Sequence, residues 1–351
     1  MEQFELAEQI SKIIKDYRQD DIDGMFYNTR MTPEHVIKWV SQFDEEDREF
    51  LLEELLYILP NSYIPKSEAK IFFIKGLEKI SEDLGFNSLN EFIYNVRFLS
   101  CQEEYKSQSE ILNIINNLLE IEFGISFRDY DNSNAKYWIY IDDVLASGST
   151  FKKNIKKVVD EYDEFKSENI LIISLFICTH AFGLSNTKYS IRKDMGDKVH
   201  NSLRFYRGFS INNYPNSQSD LNFCYPKECE SGIKFLSYIE TAFERYYPMR
   251  NEDIAFRSEN LPEKEVFFSS PEARDRYESI ILNKGLELIY NTQNINAKSL
   301  RPLGMTNPSY KTLGTGSHFF TWRNISNTCP IVFWWEANGW YPLFPVKNRG
   351  L

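Results

Sequence analysis

Two adjacent carboxylates followed by a run of small residues are the strongest chemical signal in the sequence. Asp142 and Asp143 end an apolar stretch, and the loop after them contains Ala146, Ser147, Gly148, Ser149 and Thr150. The backbone N–H groups of such a loop, its hydroxyls and the positive end of a following helix suit a phosphate. Carboxylates this close would repel the phosphate itself but suit ribose hydroxyls or Mg²⁺. The pattern therefore predicts a site for a phosphorylated sugar.

The elements around these residues place them where α/β proteins bind ligands. Residues 137–141 predict a buried strand, and a helix is predicted from Thr150, so both aspartates lie at the carboxyl end of a strand. Because successive strand residues point to opposite faces, both can serve one ligand only if the chain is already turning at Asp142. An ordinary strand–turn–helix junction with aspartates capping local amides is the alternative. A P-loop is excluded, because no GxxxxGKS or GxxxxGKT sequence occurs.

Three stretches of different character predict the domain organisation. Residues 1–95 carry helical apolar periodicity, residues 96–220 alternate strands with helices, and residues 221–351 combine helices with short strands. The βαβαβ order of the middle stretch predicts a parallel sheet covered by helices on both faces. The predicted fold class is therefore α/β, with a helical N-terminal region and a C-terminal extension that contains short strands and packs on the core.

The central stretch resembles the motif of the phosphoribosyltransferases. That motif is an apolar strand, two acidic residues, two apolar residues and a loop of the form TTGxT, which here corresponds to Asp142, Asp143 and residues 144–150. Gly148 and Thr150 match, whereas Ala146 and Ser147 stand where the family usually has two threonines. The resemblance implies a phosphoribosyltransferase-type parallel sheet, a phosphoribosyl or nucleotide substrate, and Mg²⁺ held by the two aspartates.

The same resemblance implies a second loop that binds pyrophosphate in front of another helix. The candidate loop is formed by Lys106, Ser107, Gln108 and Ser109, which supply a cation, hydroxyls and a helix N-terminus. A capped surface helix is the alternative for this loop. The implied reaction occurs at C1 of the ribose through an oxocarbenium-like state, with charge placement and Mg²⁺ assisting the departure of pyrophosphate or a base.

Two further segments extend the resemblance over most of the chain. Residues 34–59 and the tail at residues 313–335, together with the central motif, resemble the phosphoribosyltransferase-like effectors of bacterial conflict systems, including some retron-associated ones. This implies a toxic antiphage effector in the cytoplasm, with a reverse transcriptase or another defence-system protein as partner. A non-catalytic module that senses a nucleotide and regulates a partner is the alternative, because binding and turnover would use the same loop.

Four residues outside the motif are candidate contacts for the base or substrate. His180 follows an apolar strand predicted at residues 170–178, while Arg323, Asn324 and Asn327 lie near a C-terminal strand. The alternatives are a histidine satisfied by the backbone and an asparagine-rich turn between two strands.

Composition narrows the functional classes. The net charge of -11 disfavours direct nucleic-acid binding. The five cysteines include no CxxC pair, which is typical of reduced cytosolic thiols. The N-terminal sequence MEQFELAEQI lacks the pattern of a signal peptide, and no apolar run reaches about 18 residues. A cytoplasmic protein that does not enter a membrane is therefore predicted.

Overall fold

Helices dominate the first part of the chain and alternate with strands in the middle. The structure, a computed structural model, describes residues 2–19, 30–102, 107–129, 132, 134–163, 165, 169–214, 221–243, 255–291, 299–306, 312–336 and 339–346. The described helices are α1 (Gln3–Ile13), α2 (Pro33–Val40), α3 (Glu45–Ser62), α4 (Lys66–Asp83), α5 (Leu89–Tyr94), α6 (Ser107–Phe123), α7 (Ser149–Glu161), α8 (Ala181–Asn201), α9 (Glu230–Phe243) and α10 (Pro271–Tyr290). The described strands are β1 (Tyr63–Ile64), β2 (Val96–Phe98), β3 (Tyr137–Leu145), β4 (Leu171–His180), β5 (Leu203–Ile211), β6 (Leu300–Arg301), β7 (Gly304–Met305) and β8 (Phe320–Thr321). A 3-10 turn covers Ile331–Phe333.

The backbone contacts divide the chain into two compact units. One unit is residues 67–211, and the other combines residues 1–66 with residues 212–351. This division differs from the boundaries predicted at residues 95 and 220, because α4 and α5 belong with the sheet. An amphipathic pattern shows that a helix has a buried face, but it does not identify the element that covers this face.

A four-stranded parallel sheet forms the centre of the unit at residues 67–211, which confirms the predicted α/β class. The strand order is β2-β3-β4-β5, and every neighbouring pair is parallel. The pairing of β3 with β4 runs from Tyr137 opposite Leu171 to Leu145 opposite Thr179. Because the two strands stay in register, their carboxyl ends reach the same edge of the sheet.

Helices cover both faces of this sheet. On one face, Trp138 and Tyr140 pack with Phe151 of α7 and Leu184 of α8. On the other face α4 approaches closely, since a Cβ atom added at Gly76 would lie 2.8 Å from the side chain of Leu175. Burial on two faces explains why β3 and β4 are almost continuously apolar.

The second unit is built around aromatic residues from both ends of the chain. Strand β1 pairs in parallel with β8, and β6 forms an antiparallel pair with β7, so the predicted short C-terminal strands are confirmed. The indole N–H groups of Trp39 and Trp340 both donate to the carbonyl of Val332 at 2.9 Å. Trp39 also stacks on Phe333 with ring centroids 5.5 Å apart. These contacts fix the N-terminal helices to the tail within one core.

The helices within the described part of the chain include none that is both long and apolar enough to cross a membrane.

Candidate functional site

A glycine in the left-handed conformation connects β3 to α7. Gly148 has a φ of +74° and immediately precedes the first residue of α7. A Cβ atom at this position would lie 1.6 Å from Oγ1 of Thr187 on α8. The Thr187 hydroxyl is 2.7 Å from the carbonyl oxygen of Gly183 and 3.4 Å from that of Ser147. Both the backbone angle and the close packing therefore require glycine here.

The loop at residues 146–150 presents hydroxyls and the first turn of a helix. Ser147, Ser149 and Thr150 are exposed. The Ser147 hydroxyl lies 3.1 Å from the Ser149 hydroxyl and accepts the Ser149 amide at 3.3 Å. The first helical hydrogen bond of α7 runs from the Lys152 amide to the Gly148 carbonyl at 2.8 Å. Since first-turn amides have no acceptor within their own helix, this end of α7 can bind an anion.

Asp142 is buried and receives hydrogen bonds from three directions. The exposed fraction of this residue is only 6%. Oδ2 accepts from Nε2 of Gln102 at 2.9 Å and from the Tyr140 hydroxyl at 3.2 Å, while Oδ1 accepts the Asp143 amide at 3.0 Å. The Tyr140 hydroxyl in turn accepts from Nδ2 of Asn154 on α7 at 3.0 Å. Each of these donors is a neutral group.

The surroundings of Asp142 change its acidity. Burial, followed by the neighbouring Asp143, raises the pKa of Asp142 to about 7, and the Ser107 hydroxyl opposes this rise. Burial raises the pKa of Cys101 to about 12. Desolvation penalises the charged form of a carboxyl that has no cation beside it. A perturbed acid at the carboxyl end of a strand is typical of a functional site.

Asp143 differs from Asp142 in exposure and in direction. It is half-buried, and its Oδ1 accepts the Val144 amide at 2.8 Å. Strand β3 does not turn at Asp142 but continues to Leu145, four residues beyond the predicted strand end. The two aspartates therefore lie on opposite faces of the sheet.

The donor set can be tested against Mg²⁺. The described residues include no group of three or more histidine, cysteine or acidic side chains that could hold a metal ion. Mg²⁺ commonly uses one or two carboxylates together with substrate phosphates and water. The half-buried Asp143 fits that role, whereas the oxygens of Asp142 already accept three hydrogen bonds. Direct metal binding by Asp142 stays a prediction.

The candidate pyrophosphate loop lies beside Asp142. Ser107 begins α6, and its hydroxyl donates to Oε1 of Gln102 at 3.4 Å. Gln108 is buried, its Oε1 accepts the Cys101 amide at 2.7 Å, and its Nε2 has no partner among the described residues. Ser109 is half-buried in the same first turn, and Lys106 lies outside the described residues. The adjacency is observed, and the pyrophosphate role stays a prediction.

His180 is a fully buried histidine at the end of β4. The pairing of Leu145 with Thr179 puts it at the same sheet edge as the phosphate loop. Neither ring nitrogen of His180 has a hydrogen-bond partner among the described residues, and burial lowers its pKa to about 4. The buried hydroxyl of Thr179 also has no partner within the described part of the chain. Because such groups are costly to bury, His180 stays a candidate contact.

The other three candidate base contacts belong to the second unit. Oδ1 of Asn324 accepts the Ile325 amide at 3.0 Å, and the Asn324 carbonyl accepts the Thr321 amide at 3.0 Å. The carbonyl of Asn327 accepts the Met305 amide at 2.8 Å. Arg323 is half-buried in the same turn. The structure thus shows turn chemistry at these asparagines, and a base contact stays a prediction.

Sequence reasoning missed the residues that surround Asp142, namely Gln102, Tyr140 and Asn154. One signal was available for Asn154, because it lies in the buried stripe of α7 with Phe151 and Ile155. A polar residue within an apolar stripe needs a partner. No comparable signal marks Gln102, since its contact with Asp142 spans forty residues of sequence.

Parallel strands between two layers of helices, with a glycine-capped helix following two carboxylates, define a protein of the α/β class. Over residues 36–346 the chain matches the PRTase-CE family. It therefore belongs to this family, the phosphoribosyltransferase-like conflict-system effectors, as its sequence predicted. Comparison with curated proteins and with solved structures gives no match.

Proposed function

We propose that this chain binds a 5-phosphoribosyl compound, either phosphoribosyl diphosphate or a nucleotide, and acts at its C1 as a toxic effector of antiphage defence. The observation that carries the proposal is the glycine-capped N-terminus of α7 directly after Asp142 and Asp143. The 5-phosphate would bind at residues 146–150, and Asp143 would contact a ribose hydroxyl or Mg²⁺. Membership of the PRTase-CE family supports this assignment.

The site residues suit chemistry at the anomeric carbon. Positive charge develops at C1 as the bond to the leaving group breaks, and fixed carboxylates at the strand end stabilise it. When bound, Mg²⁺ would neutralise charge on a departing pyrophosphate. The first turn of α7 would hold the 5-phosphate and so fix the position of C1. Ser107 and Gln108 would contact the leaving group at the N-terminus of α6.

Binding of phosphoribosyl diphosphate with Mg²⁺, measured by titration calorimetry, tests the assignment. Asp143→Asn removes the proposed ribose or metal contact, and we expect about a tenfold or larger loss of affinity. Asp160→Asn makes the same chemical change at an exposed position of α7 and is the matched control. Equal affinity of the wild-type and Asp143→Asn proteins would contradict the proposed site.

A sensing function is the second candidate, and one observation favours it. Ala146 lacks the hydroxyl that the phosphoribosyltransferase motif usually has there, and Asp142 is already bonded on both oxygens. In that case a bound nucleotide would change the interaction with a partner, such as a reverse transcriptase or another defence protein. Depletion of phosphoribosyl diphosphate or nucleotides in expressing cells would support the enzyme.

Cell toxicity separates the two candidates further. The Asp142→Asn/Asp143→Asn double variant should lose both turnover and toxicity while remaining folded, as checked by circular dichroism. Unchanged toxicity in this variant would contradict catalysis at C1.

A further inference from the structure

Asp142 is bonded on both carboxylate oxygens inside the protein. Oδ2 accepts from Gln102 at 2.9 Å and from Tyr140 at 3.2 Å, and Oδ1 accepts the Asp143 amide at 3.0 Å. A carboxylate has about four acceptor positions. Three of these positions are filled and the residue is only 6% exposed, so Asp142 has about one acceptor position left for a ribose hydroxyl or a metal ion.

Gln102 connects the Asp142 carboxylate to the N-terminus of α6. Its Nε2 donates to Asp142, while its Oε1 accepts from the Ser107 hydroxyl at 3.4 Å and from the Gln108 amide at 3.5 Å. Oε1 of Gln108 accepts the Cys101 amide at 2.7 Å. The first turn of α6 is therefore hydrogen-bonded to both Cys101 and Gln102, and Gln102 is in turn hydrogen-bonded to Asp142.

Tyr140 connects the same carboxylate to α7. Its hydroxyl donates to Asp142 at 3.2 Å and accepts from Nδ2 of Asn154 at 3.0 Å. Asn154 is 6% exposed and lies in the buried stripe of the helix. One carboxylate thus links α6 and α7, two of the helices whose N-termini lie at this end of the sheet.

We propose that Asp142 is a positioning residue that acts through Gln102 and Tyr140 to hold the N-termini of α6 and α7 in place. Asp143 is then the carboxylate that contacts the ligand. We call this assignment the division of roles between the two aspartates. The ligand contact by Asp143 rests on the proposed function, whereas the positioning role of Asp142 does not.

An exchange of donor and acceptor within the Asp142–Gln102 pair tests this proposal. Asp142→Asn replaces an acceptor by an amide donor, which then faces Nε2 of Gln102. Adding Gln102→Glu restores complementarity, because one glutamate oxygen accepts from the new asparagine and the other accepts from Ser107 and Gln108. Tyr140 can accept in place of donating, since the Asn154 amide can reverse. The exchanged pair also keeps the net charge of the original pair.

Amide hydrogen exchange at Cys101 and Gln108, followed by NMR, reports positioning without any ligand. Asp142→Asn should speed exchange at these amides by about tenfold or more, equivalent to the loss of one hydrogen bond to a charged group. The exchanged pair, Gln102→Glu/Asp142→Asn, should return the rates to within about threefold of wild type. The Gln102→Leu/Asp142→Asn pair supplies no acceptor and should show no recovery.

Affinity for phosphoribosyl diphosphate with Mg²⁺, measured on the same proteins, tests the division of roles. The exchanged pair should recover affinity, while Gln102→Glu/Asp143→Asn should not. Recovered exchange rates without recovered affinity would make Asp142 a direct ligand and overturn the division of roles. Unrecovered exchange rates would overturn the positioning role itself. If the wild-type protein binds no phosphoribosyl diphosphate, the proposed function fails, and the exchange rates still decide the positioning role.

Discussion

Two buried carboxylates, one in each unit, are satisfied in different ways. Glu278 is 1% exposed and accepts from Arg274 at 3.0 Å, from Arg257 at 3.2 Å and from the Tyr225 amide at 2.9 Å. Asp142 is comparably buried, but its side-chain partners Gln102 and Tyr140 are neutral. A buried ion is retained most easily when it is paired with an opposite charge and fully bonded.

Two buried histidines repeat the contrast. His318, in the second unit, has Nε2 2.9 Å from the Tyr277 hydroxyl and Nδ1 3.0 Å from the Gly316 carbonyl oxygen. His180, at the end of β4, has no partner for either nitrogen among the described residues. Both histidines have a pKa lowered by burial to about 4.

The two regions differ in how completely their buried polar groups are hydrogen-bonded. In the unit of residues 1–66 and 212–351, the buried polar groups Glu278 and His318 are bonded to their neighbours and stabilise the fold. At the carboxyl end of the parallel sheet, Asp142 and His180 bear a burial cost that local contacts offset less completely. Costs of this kind persist where function requires them.

Removing Arg274 should have the largest effect on stability. This fully buried residue also pairs with Glu265 at 2.5 Å and donates to the carbonyl of Phe223 at 3.0 Å. Arg274→Met leaves buried partners unpaired and should lower the free energy of unfolding by about 3–5 kcal/mol. Arg276→Met, on the same helix but half exposed, should cost less than about 1 kcal/mol. Urea unfolding measures both free energies. Equal losses for the two variants would contradict the stabilising role of the buried charges around Glu278.

Gly148→Ala should have the next largest effect. It combines a positive φ with the collision against Thr187, so a loss of about 3 kcal/mol is expected. Gly85→Ala is the matched control, because Gly85 has a φ of +80° but no atom within 4 Å of an added Cβ, and it should cost about 1 kcal/mol. If thermal unfolding gives equal losses for the two variants, close packing of the loop on α8 is not important.

Substitution of each histidine by leucine should have different effects on stability at the two positions. His318→Leu leaves the Tyr277 hydroxyl unpaired and removes one of the two hydrogen bonds to the Gly316 carbonyl, which still accepts the Cys224 amide, and should cost about 2 kcal/mol. His180→Leu removes two unpaired nitrogens and should leave stability unchanged or slightly higher while weakening ligand binding. Chemical unfolding and calorimetry measure these outcomes. A comparable loss of stability from His180→Leu would show that His180 is structural.

The pH dependence should show the smallest effect. Because the native pKa of each buried histidine is about 4 and the unfolded value is near 6.5, the unfolded chain takes up a proton first as the pH falls. The stability contribution is therefore complete above pH 7 and is lost toward pH 4. Between pH 7.5 and 5.5 each histidine should account for about 1 kcal/mol of lost stability. An unchanged pH slope in His180→Leu would contradict the depressed pKa of His180.

The sequence was sufficient where a local pattern determines the structure. The apolar run before Asp142 predicted β3, and Gly148 predicted the turn into α7. Strand β5 was not predicted, because Arg204 and Gly208 are exposed and interrupt its apolar pattern. The end of β3 was also wrong, since the pairing of Val144 with Cys178 extends the strand past the aspartates.

Contacts between distant residues explain the rest of what was not predicted. Gln102 reaches Asp142 only because β2 lies beside β3 in the sheet. The association of α4 with the sheet depends on the close approach of Gly76 to Leu175. Neither fact has a signature within a short window of sequence, because the partner residues come together only in the folded chain.

A single tryptophan in the central sheet allows the fluorescence of the two units to be measured separately. Trp138 is the one tryptophan of the six in the sequence that falls within residues 67–211. It is fully buried, donates to the Ala135 carbonyl at 2.9 Å and packs edge-on against Tyr162. With selective excitation of tryptophan, a Trp138→Phe protein emits tryptophan fluorescence only from the other unit, so subtracting its signal from that of the wild type isolates the unfolding of the sheet.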